Sequence, residues 1–133
     1  SFEGSGNYEN VLRAYNRVDI ALDTFPYSGT MTTMEALWMG VPTVTLTGNR
    51  HASRVGASLL HVVGLDELIA ASPEEYVERA VALAKDPAKM SDLRSGMRDR
   101  LRASRLLDAD AFTKTLEDAY RQMWRTWCDT SEG

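Results

Sequence analysis

The sequence holds a single cysteine, Cys128, so it can form neither an intrachain disulfide nor a cysteine metal cluster, and a reducing compartment is expected. No apolar run approaches the length of a membrane span. Ser1 to Asn10 is polar and glycine-bearing, with neither the basic start nor the apolar core of a secretory signal, so the chain is expected to be soluble and cytoplasmic. Positive charge is not in excess. Fifteen Lys and Arg against 19 Asp and Glu leave a net charge of −4, and the cations are scattered, so neither nucleic acid nor a membrane surface is an expected partner. Also missing are G-x-G-x-x-G, a Walker loop, H-E-x-x-H and G-x-S-x-G, which argues against ordinary dinucleotide, NTPase, zinc-protease and hydrolase sites. No internal repeat, low-complexity tract or interdomain linker is visible. The 133 residues, 44% apolar, read as one domain with enough material for a core. Ser1 to Gly6 and Asp129 to Gly133 are the segments expected to be disordered.

What is present is concentrated between residues 18 and 44. Val18 to Thr24 is a short apolar run bounded by turn signals, the pattern of a central, doubly covered parallel strand. Phe25-Pro26-Tyr27-Ser28-Gly29 breaks it: Pro26 removes a ladder donor, and Gly29 permits a backbone conformation or close ligand approach that a Cβ would block. From Thr30 the period becomes helical, with Met34, Leu37 and Trp38 apolar, until Gly40 and Pro42 stop it. Val41 to Leu46 is the next strand. A helix between two buried strands implies a right-handed βαβ crossover.

In such a sheet ligands bind beyond the carboxyl ends of the strands, which makes the turn from Asp23 to Thr33 the place for chemistry. The first turn of the following helix presents unpaired N–H groups and positive dipole potential suited to phosphate, and Thr30, Thr32 and Thr33 add hydroxyls there. Glu35 lies one turn further in, placed to accept two hydrogen bonds from a vicinal diol such as a ribose. Phosphate at the helix tip with a diol beside it describes a nucleotide. The same letters also spell a capping box, Thr32-Thr33-Met34-Glu35, in which Glu35 reaches back to the N–H of Thr32.

Val11 to Tyr15 reads as the end of an incoming helix. Thr47-Gly48-Asn49 is a turn, Ala52 to Val63 a helix closed by Gly64, and Leu65 to Ala70 either a short strand or part of a turn and helix. Ser72-Pro73-Glu74-Glu75 starts a helix running to about Lys85, and Asp86-Pro87 starts another. Phe112, Leu116, Ala119, Met123 and Trp127 mark a last amphipathic helix whose stripe must pack back across this domain or onto another. His51 and Arg54, at the start of the second βα unit's helix, are candidate anion contacts; a structural ion pair is an equal reading for Arg54. His61 reads as a packed or surface residue. Asp108-Ala109-Asp110 spells the D-x-D of metal-dependent sugar transfer, yet it precedes a helix, where aspartates cap and favour the dipole, so no metal is expected.

Glu35-Ala36-Leu37-Trp38-Met39-Gly40-Val41-Pro42 resembles the E-A-x-x-x-G-x-P element of GT-B glycosyltransferases. With Phe25 to Thr30, the Thr32-Thr33 pair and Asn49 to Leu60, the sequence from about Tyr15 to the last helix is similar to the C-terminal half of the catalytic region of SPINDLY-like O-linked N-acetylglucosamine transferases. The resemblance implies an α/β fold: a Rossmann-like parallel sheet with flanking helices, the nucleotide-binding C-terminal half-domain of a GT-B enzyme, ending in helices. Residues 1–133 are then a single, partial nucleotide-sugar-binding domain of a larger transferase. It also implies inverting, metal-independent transfer of N-acetylglucosamine from a UDP-sugar to a protein Ser or Thr, without a cofactor, in proteins with an upstream catalytic half and tetratricopeptide repeats. Carried over by position, Thr30, Met31 and Thr32 fall on the diphosphate contacts and Glu35 on the ribose-binding acid, with Gly29 and Thr33 in the same turn. His51 lies in the matching string. Two family features are absent: a His that members often carry where this chain has Val11 or Thr30, and the Lys that neutralises the leaving diphosphate, which lies upstream. No catalytic base is assigned. A retaining GT-B transferase and a non-catalytic nucleotide-binding or scaffold domain are the alternatives, although the second Glu that retaining enzymes place ahead of the ribose acid is not supplied by residues 26–29.

Overall fold

Thr43, Val44 and Thr45 are all buried, because their strand has a neighbour on each side and helices on both faces. The computed structural model describes Asn7 to Ser131. It contains a parallel sheet of β1 (Ala21–Leu22), β2 (Thr43–Leu46) and β3 (Ile69–Ala70) in that spatial order, with Ala21 opposite Thr43 and Thr45 opposite Ile69. Among the described residues six α-helices accompany it: α1 (Tyr8–Ala14), α2 (Met31–Trp38), α3 (Val55–Val62), α4 (Pro73–Ala84), α5 (Pro87–Ala103) and α6 (Ala109–Ser131). The fold class is the expected one, α/β with a parallel sheet and flanking helices, ending in helices.

Local chemistry accounts for most helix ends. Gly40 and Gly64 take left-handed φ values of 77° and 70°. In each case the glycine N–H and the N–H after it bond back into the last turn: Gly40 to Leu37 O and Val41 to Ala36 O, Gly64 to His61 O and Leu65 to Leu60 O. These are Schellman closures, which deliver Val41 and Leu65 straight into the core. At the other ends, the Ser72 hydroxyl accepts from the Glu75 N–H at 3.2 Å and the Asp86 carboxylate from the Lys89 N–H at 2.9 Å, each with proline at the next position. Leu37, Val44, Leu60, Leu65, Met97 and Leu101 are the fully buried centre of the core. Each such side chain contributes about 1.5 to 3 kcal/mol relative to exposure.

Several expectations are revised. The strand expected over Val18 to Thr24 pairs only at Ala21–Leu22 and, among the described residues, is the edge rather than the centre of the sheet. Leu22 is 57% exposed. An apolar run specifies burial but not which strand covers it, and a 3-10 turn at Tyr15–Arg17, closed by the Val18 N–H to Tyr15 O, holds the start of the run out of the ladder. The helix expected from Ala52 to Val63 is split into a 3-10 turn, His51–Ser53, and α3. Leu65 to Ala70, where the sequence allows either a short strand or part of a turn and helix, contains both a 3-10 turn, Asp66–Leu68, and the short strand β3. Asp129 to Ser131, expected to be disordered, continue α6. The expectation for Ser1 to Gly6, and that for residues 132–133, lie outside the described residues. The apolar stripe of α6 is present as expected but is not covered by this domain: Phe112, Met123, Trp124 and Trp127 are each about 60% exposed.

Candidate functional site

The turn after β1 carries the chain from Asp23 to the start of α2, and its shape is set by side chains that point inward. Asp23, only 7% exposed, accepts the Gly29 N–H at 2.7 Å through Oδ1 and the Thr45 hydroxyl at 2.7 Å through Oδ2. The Thr33 hydroxyl donates to the Gly29 carbonyl at 3.1 Å. Further out, the Ser28 N–H bonds to Ala52 O at 2.8 Å, which ties the turn to the segment before α3. Gly29 is required by close approach rather than by positive φ: a Cβ there would lie 2.5 Å from Thr32 Oγ1 and 2.8 Å from Thr33 Oγ1.

The helix begins at Thr30, whose side chain makes no capping hydrogen bond, so the amides of Met31, Thr32 and Thr33 start α2 without intrahelical partners. Thr30, Met31 and Thr32 are exposed around that tip, whereas Thr33 is buried. The two readings of Glu35 are thereby separated. Thr32 stands inside the helix rather than at its cap, so Thr32 and Glu35 do not form a capping box. Glu35 is half-buried one turn along, near the phenols of Tyr8 in α1 and Tyr15 in the 3-10 turn that follows it. Partial loss of solvent, then the nearby Glu35 carboxylate, hold the largely exposed Tyr8 above the usual phenol range; burial, then the Glu35 charge, do the same for Tyr15. The Tyr15 hydroxyl also donates to the Thr32 carbonyl at 3.2 Å. Tyr15, Thr32 and Thr33 line a cavity of about 180 Å³ between β1 and α2.

His51 and Arg54 are exposed and line a different, open groove of about 560 Å³ along α3, which also receives Ser58, His61 and Asp66. The fold therefore brings Gly29, Thr30, Met31, Thr32, Thr33 and Glu35 into one place and puts His51 and Arg54 beside a second. His61 is a surface residue paired with Asp66 at 2.6 Å. Asp108 accepts the Ala111 N–H at 2.9 Å and so caps α6. Asp23, Tyr8 and Tyr15 were not singled out as site residues from the sequence. A lone carboxylate ending an apolar strand just before a glycine turn is the signal that marks Asp23.

The whole of this arrangement falls within a segment shared with known proteins. The description of glycosyl transferase family 41 matches residues 2–116. The chain belongs to that family. It is 51% identical over 118 residues to a probable UDP-N-acetylglucosamine–peptide N-acetylglucosaminyltransferase SPINDLY of Solanum lycopersicum, covering 89% of this chain and 13% of that protein. A UDP-N-acetylglucosamine–peptide N-acetylglucosaminyltransferase of Caenorhabditis elegans is 34% identical over 119 residues, 90% of this chain and 10% of the relative. Among solved structures, a mutant O-GlcNAc transferase of Thermobaculum terrenum matches with a TM-score of 0.86 and 47% identity, covering 95% of this chain and 24% of that one. The family 41 chain described here thus spans about an eighth of the length of the SPINDLY relative, and its half-domain is of the GT-B type expected.

Proposed function

We propose that this chain is the UDP-sugar-binding part of an inverting glycosyltransferase that moves N-acetylglucosamine from UDP-N-acetylglucosamine to a protein Ser or Thr. What supports the reading is one observation above others. The half-identity to named UDP-N-acetylglucosamine–peptide transferases runs through the segment whose fold gathers an open helix tip and a half-buried glutamate one turn behind it. In this reading the amides and hydroxyls at Thr30, Met31 and Thr32 receive the diphosphate, and Glu35 accepts the ribose diol. Gly29 and Thr33 keep the turn in shape. The tip stabilises the charge that develops on the leaving diphosphate, which is where preorganised donors lower a barrier most.

No metal or cofactor enters this reading; the facing catalytic half and tetratricopeptide repeats belong to the larger, cytoplasmic protein, and the acceptor is a separate protein partner. No helix among the described residues is long and apolar enough to cross a membrane. His51 and Arg54, exposed in the groove along α3, are candidate further contacts to the anionic donor. The whole protein should transfer sugar from UDP-N-acetylglucosamine to a Ser/Thr peptide in the presence of EDTA. The isolated segment should not, because it cannot orient donor against acceptor. Failure of the whole protein to bind UDP in a calorimeter would overturn the assignment and favour a scaffold role.

A further inference from the structure

Asp23 is a buried carboxylate with no cation beside it among the described residues, and all of its polar atoms are used. Its N–H donates to Val44 O at 2.9 Å, and its carbonyl accepts the Tyr76 hydroxyl of α4 at 2.9 Å. Its two carboxylate oxygens take Gly29 N–H and the Thr45 hydroxyl, each at 2.7 Å. Gly56 of α3 packs directly on the carboxylate, where any side chain would collide with Oδ2. Burying a carboxylate against neutral donors is costly, and the packing of the core does not require one at this point. What its acceptor atoms act on is the turn. The hydrogen bond to Gly29, short at 2.7 Å, grips the amide immediately before the helix tip, and the Thr45 hydroxyl fixes the carboxylate that makes it.

We infer that Asp23 is the positioning residue of the diphosphate turn, a point that rests on the proposed placement of the diphosphate at that turn. The carboxylate consumes the Gly29 N–H internally and thereby fixes the direction in which the following amides, from Thr30 to Thr32, point outward. Thr45 holds the carboxylate in the rotamer that does this. Asp23 does not itself touch the donor. The arrangement couples three elements, β1, β2 and α2, so the tip is rigid before a nucleotide arrives, and rigid donors are the ones that discriminate a diphosphate from a nucleoside.

The test uses the whole protein and three variants, with UDP and uridine affinities measured by calorimetry and the Gly29 amide followed by hydrogen exchange. Asp23→Ala is expected to free the Gly29 amide to exchange and to weaken UDP by about tenfold or more while uridine changes by less than about threefold. Asp23→Asn keeps an acceptor for Gly29 and a donor for Thr45, so it should restore UDP affinity to within about threefold of the natural protein. Thr45→Val, which retains Asp23 at nearly constant volume, should give an intermediate loss confined to UDP, and it decides the matter if Asp23→Ala does not fold. Equal losses for UDP and uridine, or unchanged Gly29 protection in Asp23→Ala or Thr45→Val, would overturn the inference. If the natural protein binds no UDP, the nucleotide assignment falls by itself. The exchange experiment then still decides the strut, which stands if protection is lost in Ala and kept in Asn, and fails otherwise.

Discussion

Thr33 donates its hydroxyl to the Gly29 carbonyl at 3.1 Å, so the first turn of α2 is latched onto the turn that precedes it. The latch exists only because position 29 has no side chain: the space a Cβ would take is occupied by the hydroxyls of Thr32 and Thr33. Gly29→Ala should therefore destabilise the fold by about 1 to 3 kcal/mol, the usual cost of overpacking. Thr33→Val, which fits but leaves the carbonyl without its donor, should cost about 1 kcal/mol. Calorimetric melting of both variants checks the order; equal and negligible shifts would mean that the turn is looser than described.

A second backbone prediction concerns Gly40. Its φ of 77° is one that L side chains avoid, and a Cβ there would also lie 2.9 Å from the Arg94 carbonyl of α5. Gly40→Ala should cost more than the roughly 1 to 2 kcal/mol of left-handed strain alone. Gly96→Ala, on the same helix as Arg94 and open to space, should be neutral or slightly stabilising. Melting temperatures of the pair give the comparison.

The start of α4 predicts a pH effect. Glu75 is held below the usual carboxylate range first by the Ala71 N–H and then by Arg79, which donates to it at 3.1 Å. A carboxyl with a lowered folded-state pKa stabilises the fold above its unfolded value, and that contribution is lost as pH falls through the folded one. Stability measured from neutral pH down through the carboxylate range should fall less steeply in Glu75→Gln than in the natural chain. Identical slopes would remove Glu75 from the acid response.

The elements that were legible in the sequence are those fixed by neighbours along the chain. Gly40 with Pro42, Ser72 with Pro73 and Asp86 with Pro87 each specify a helix end through residues at most a few positions apart, and each end stands where the letters put it. The helix tip and Glu35 were legible for the same reason, since they share one turn and a half of a single helix. What was not legible depends on distant partners. That Val18 to Thr24 would pair on one side only depends on β2, and that Asp23 would be gripped by Thr45 and Tyr76 depends on residues 22 and 53 positions away. The choice between cap and free carboxylate at Glu35 turned on a shift of two residues in where α2 begins, which falls within the uncertainty with which sequence patterns place helix ends.

The ribose role of Glu35 is the central claim, and it is tested most directly by calorimetric binding of UDP and 2′,3′-dideoxy-UDP to the whole protein, natural and Glu35→Gln. The neutral amide keeps the shape but loses the charge-assisted part of two diol hydrogen bonds, so UDP affinity should fall by about 1 to 3 kcal/mol with little change in melting temperature. The natural protein should bind the dideoxy analogue correspondingly less tightly than UDP, and the variant should hardly distinguish the two. If Glu35→Gln binds UDP as tightly as the natural protein, and the natural protein binds both nucleotides equally, Glu35 does not hold the ribose and the assignment is wrong.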